Sequence, residues 1–178
     1  MINLNKKFGS SNGMTLIEVL LYLSLLSVMV IAVSSFMSLS LQARVKGQTI
    51  GEVEQSSSQA MDIILDSIRS SKSVTAPTRG NNASSLNLVM PGISQTIDFR
   101  LTSGKIEMQK NGSGYSAITF DKLAITSLLF ANKTKSSTAG APASIRVSFT
   151  SDYINNTGRN EYTFGKNFQS TSSQKAQQ

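Results

Sequence analysis

Apolar positions follow three regimes along this chain. From Val19 to Ala43 they are almost continuous, broken only by Ser and Gln42, with no charge, no Gly and no Pro. A helix needs about 20 such residues to cross a hydrocarbon core about 30 Å thick. From 48 to 72 the spacing becomes helical. Ile50 and Val53 are three apart, and Met61, Ile64, Leu65 and Ile68 follow the i, i+3, i+4, i+7 rule. Arg69 and Lys72 fall in the last turn, where cations suit the helix dipole. Unbroken from Met14 to Lys72, such a helix would measure roughly 90 Å. Gly47 and Gly51 mark a local weak point within it, at about 1 kcal/mol each relative to Ala. The same pair spells a Gly-x-x-x-Gly close-packing motif, but it lies outside the apolar run.

Beyond Lys72 the period drops to two. Val74–Ser85, with Pro77, Gly80, Asn81 and Asn82, reads as a loop. Strands are expected at 86–90, 96–101, 105–110 and 115–120. They are punctuated by Pro91-Gly92, Thr102-Ser103-Gly104 and the hairpin dipeptide Asn111-Gly112. Leu123–Ala131 is apolar enough for a strand buried on both faces. Ser144–Thr150 alternates with Ile145, Val147 and Phe149 inward, and Glu161–Phe164 reads as the last strand. Residues 169–178, all small, polar or basic, read as a disordered tail. The fold class is α+β: a long N-terminal helix, its first half transmembrane and its second half amphipathic, packed on an antiparallel β-sheet.

One acid, Glu18, sits at the head of the apolar run. A carboxylate inside a bilayer costs a few kcal/mol or more, so it needs a partner. Thr15-Leu16-Ile17-Glu18 is also a capping-box pattern, in which Glu18 serves only the helix start. Before it lies a basic leader, with Lys6 and Lys7, ending at Gly13. An ordinary secretory signal has an apolar core of about 7–15 residues and a small-x-small cut site. This run is longer, and Ser38-Leu39-Ser40 is a poor site.

Basic leader, Gly13, Thr15 at the second place after it, Glu18 at the fifth and an uninterrupted apolar helix together resemble the N-terminus of type IV pilins and type II secretion pseudopilins. Met14 stands where Phe is usual, and Ser35 where many members carry a helix-kinking Pro. The resemblance covers residues 6–43. It implies a pilin-like fold, cleavage between Gly13 and Met14 by a prepilin peptidase, and N-methylation of Met14. Cleavage would free an amine four residues from Glu18, one helical turn away. The family implies that in a filament this cation comes from Met14 of a neighbouring subunit.

The resulting division is a leader at 1–13, a transmembrane and assembly helix at 14–43, its amphipathic continuation at 44–72, a β-sheet head at 73–168 and a tail at 169–178. The expected function is a structural, minor pilin or pseudopilin subunit. Its implied partners are other pilin subunits, the prepilin peptidase, an assembly ATPase with its platform protein, and membrane lipid before assembly. The implied location is the cytoplasmic membrane, leader inside and head outside, and then an extracellular filament. The alternative is a single-span membrane anchor carrying a surface-binding domain that never polymerises.

Composition narrows the chemistry. The 178 residues include no Cys and no His. That excludes disulfides, thiolate chemistry and any Ser-His-Asp triad. No enzymatic activity, cofactor or metal is expected. Asp152–Asn156 offers oxygens to calcium but reads better as a turn. The net charge of +7 loses two with Lys6 and Lys7 of the leader, leaving +5. The basic residues are dispersed and not interleaved with aromatics, so DNA is only a weakly supported partner.

Overall fold

The computed structural model describes residues 13–92, 95–135 and 142–175. A single helix, α1, runs Leu16–Ser70. The chain forms two compact units, Met1–Gln42 and Ala43–Gln178.

In the first unit every described residue is exposed. The run is helical because nothing in it breaks a helix, and its serines do not compete with the backbone ladder. Ser24 Oγ donates to the Leu21 carbonyl at 2.8 Å, Ser27 to Leu23 at 2.7 Å, Ser35 to Ile31 at 2.9 Å and Ser38 to Ser34 at 3.1 Å. These hydroxyls are satisfied inside their own helix, as an apolar medium demands. Ser35 passes without interrupting α1.

In the second unit, the helical stripe meets the core as expected. Met61, Ile64, Leu65 and Ile68 are buried, as are Val53 and Ala60. Gly47 and Gly51 lie inside the helix without breaking it, and an added Cβ at either would meet nothing within 4 Å. Among the described residues nine strands follow: β1 (Ser73–Ala76), β2 (Asn82–Ala83), β3 (Leu86–Val89), β4 (Thr96–Thr102), β5 (Lys105–Lys110), β6 (Ser116–Ala117), β7 (Leu123–Asn132), β8 (Ser144–Tyr153) and β9 (Gly165–Ser173). They form two antiparallel sheets, ordered β1-β3-β4-β5-β6 and β2-β7-β8-β9. The architecture is therefore α+β, with two sheets in place of the single one expected. Leu86, Leu88, Phe99 and Ile106 of the first sheet and Ile125, Phe130, Val147 and Phe149 of the second share one core with the helix stripe. The sheets join where the Ile125 N–H donates to the Gly104 carbonyl at 2.7 Å.

Two of the three predicted turns lie wholly within the described residues and are present. Ser103 and Gly104 have φ of 50° and 74°, and Asn111 and Gly112 have 53° and 70°. Two successive positive values suit the right-handed twist of a hairpin. Other expectations are corrected. The stretch 74–85 is not all loop, since β1 and β2 pair there with β3 and β7. The strand expected at 115–120 shrinks to β6, because Phe120 N–H leaves the ladder for Ser56 Oγ of α1 at 3.2 Å. β7 is not buried on both faces. A bulge at Thr126–Leu129, with Ser127 at φ 56°, resets its alternation and leaves Leu129 exposed while Leu128 is buried.

The largest correction is at the C-terminal end. Asn160–Tyr162 is a short 3-10 turn, not a strand. Asn155 holds that loop, accepting from Gly158 N–H at 2.9 Å and donating to the Arg159 carbonyl at 2.8 Å. The last strand is β9, which takes in residues 169–173 of the expected tail and pairs with β8 from Ser144↔Ser173 to Asp152↔Gly165. Phe168 stacks on Phe149 with centroids 5.5 Å apart, and buried Ser172 donates to the Leu65 carbonyl at 3.3 Å. Residues 176–178 of the tail lie outside the described residues. Deleting 169–178 should therefore cost the head about 2 kcal/mol or more, lowering its thermal midpoint by about 4 °C or more.

Candidate functional site

Gly13, Met14 and Thr15 precede α1 in non-helical, exposed chain. The Gly13–Met14 bond thus lies outside the hydrogen-bonded helix. Thr15 starts the helix: its carbonyl accepts from the Glu18 and Val19 N–H groups at 3.1 and 3.2 Å, and its Oγ1 accepts from Glu18 N–H at 3.4 Å. This is one half of the capping box. The Glu18 carboxylate turns the other way. Its Oε1 accepts from the Tyr22 hydroxyl at 3.3 Å.

Glu18 is exposed in the single chain, as is the whole apolar run around it. Met14 is not on the helix, so the one-turn relation expected between Met14 and Glu18 holds in sequence but not as helical geometry. In the uncleaved chain the Met14 nitrogen is an amide and carries no charge. Met14, Val19, Tyr22, Leu23 and Leu26 line a shallow apolar depression of about 260 Å³. Tyr22 is the residue the sequence reading missed. Its i, i+4 spacing from Glu18 was the available signal.

The side chains on this segment define a surface and not a catalytic constellation. Leu16, Ile17, Val28, Met29, Ile31 and Phe36 are each at least 66% exposed, on all sides of the helix. A helix apolar all round is the kind that lipid or other helices cover. This is one helix, near the N-terminus, long and apolar enough to cross a membrane.

Away from this segment, ion pairs fasten the head. Lys122 reaches Glu52 of α1 at 3.2 Å, and the hydrogen bond and charge of Glu52 raise the Lys122 pKa. Lys166 reaches Glu54 at 2.6 Å. Lys105 pairs with Asp121, whose carboxyl it holds below the usual carboxylate range. At Asp152–Asn156, the Asn155 amide oxygen is taken up by Thr157 and Gly158 of its own loop. Among the described residues, no cluster of three acids, His or Cys is placed to hold a metal ion. Comparison with protein-family models, curated proteins and solved structures gave no match to this chain.

The absence of native Cys makes the apolar surface directly testable. In membranes, Ser27→Cys should resist a membrane-impermeant maleimide, while Ser113→Cys in the exposed β5–β6 turn should react fully. Equal labelling at both positions would show that the run does not enter lipid.

Proposed function

We propose that this chain is a structural, non-enzymatic subunit of a type IV pilus-like filament or pseudopilus, most simply a minor subunit. One observation carries this reading: an exposed apolar helical surface begins two residues after an accessible Gly-Met bond and bears a single acid at its start. Lipid covers that surface before assembly, and the apolar helices of neighbouring subunits cover it afterwards. A prepilin peptidase cuts at Gly13, the new amine of Met14 is methylated, and an assembly ATPase with its platform protein extracts the subunit. In the filament the Met14 amine of a neighbour neutralises Glu18 and so fixes register between subunits. The orientation, leader inside and head outside, follows from the same resemblance.

A plain membrane anchor is the rival reading. The Tyr22 hydroxyl favours it, because it gives Glu18 a local partner without a second chain. Substitution Glu18→Gln separates the two. A filament subunit should stay in the membrane fraction at wild-type levels while its incorporation into sheared filaments falls about ten-fold or more, since one charge of a buried pair is lost. Unchanged incorporation would refute the role given to Glu18. A chain never found in filaments, with or without the substitution, would support the anchor.

A further inference from the structure

Within the second unit, Lys72 before β1, Arg79 after it, Asn132 and Thr134 at the end of β7, and Gln174 and Lys175 beyond β9 line a cleft of about 380 Å³. That volume lies in the range of small-ligand sites, roughly 300–1,000 Å³. No Asp or Glu is among its described lining residues. Elsewhere in this unit several cations pair with acids: Arg69 with Asp66, Arg100 with Glu107, Lys105 with Asp121, Lys122 with Glu52, Arg159 with Glu161 and Lys166 with Glu54. Among the described residues, neither Arg79 nor Lys175 enters an ion pair. Lys133 and Lys135 flank Thr134 in the chain and add to the positive field.

The walls are braced. The buried Asn132 donates through Nδ2 to the Pro77 carbonyl at 2.9 Å and accepts from Thr134 N–H at 3.2 Å. Gln174 accepts from Ala143 N–H at 2.9 Å and donates to Ser71 Oγ at 2.9 Å. Two side-chain amides thus tie strand ends of both sheets together.

We infer that this cleft binds a phosphate-bearing ligand. The Arg79 guanidinium offers a planar fork of donors, and Lys175 offers a point charge on the same cleft. A multiply charged phosphoryl chain can meet both cations at once, which a single carboxylate does less well. The site is independent of filament assembly. Its ligand is either a free condensed phosphate or a phosphodiester-linked polymer, two sources of the same chemistry.

Calorimetric titration of the full chain in a nonionic detergent tests the inference, with tripolyphosphate in one arm, poly(glycerol phosphate) in the second and citrate as a carboxylate control. At least one phosphate probe should bind saturably. Arg79→Ala and Lys175→Ala should each weaken it about ten-fold, the loss of a charge-assisted contact. Arg44→Ala and Arg146→Ala, outside the cleft, should leave the affinity unchanged. Saturation by tripolyphosphate assigns the free ligand, and saturation by the polymer alone assigns the polymer. Failure of both to saturate, citrate binding as tightly, or equal weakening by the outside variants would overturn the site.

Discussion

An apolar surface of this size in water is the constraint on which everything else depends. Burial stabilises by about 25 cal/mol for each Å² of apolar surface removed from water. Between Leu16 and Leu41 the large apolar side chains project on all sides of α1. Among the described residues nothing covers them. A helix apolar all round is the kind that hydrocarbon or other helices cover. The internal hydrogen bonds of Ser24, Ser27, Ser35 and Ser38 make the segment fit for that environment. Glu18 is the one acid at the head of this segment, and under the proposed function it is the point at which pairing is specific.

The second unit solves a different problem. Its part of α1 is amphipathic, and the buried face is narrow and partly small. Ser56, Ser57 and Ala60 are all buried, and Ile64 and Ile68 join the core with the two sheets. Ion pairs from Glu52 and Glu54 to Lys122 and Lys166 fasten the helix at its edges. Exposed pairs of this kind are worth little individually, so the apolar stripe sets the stability and the charges set the alignment.

Legibility followed the physics of each element. The stripe Met61, Ile64, Leu65, Ile68 was visible because a helix face must repeat every 3.6 residues. The hairpins at Ser103-Gly104 and Asn111-Gly112 were visible because only a few residue types tolerate positive φ. β9 was not visible. Its side chains are almost all polar, and what holds it is backbone pairing along β8 with one aromatic stack. Composition suggested disorder there because composition does not register ladder hydrogen bonds. The bulge in β7 hid in an apolar run, since Leu128 and Leu129 look alike in sequence while one points in and one out. At the N-terminus Gly13, Met14 and Glu18 were legible as a linear pattern, and Tyr22 was overlooked. The basic cleft was not legible at all, because residues 72, 79, 134 and 175 meet only through the sheet topology.

Under the proposed function, cutting the leader away creates a positive mate for Glu18. Intact-mass and N-terminal peptide analysis of the protein recovered from its native membranes and filaments tests this most directly. The expected product begins at Met14, lacks residues 1–13 and carries one methyl group on its amine. A chain that keeps its leader, or one cut near Ser40 and freed of the apolar run, would contradict it.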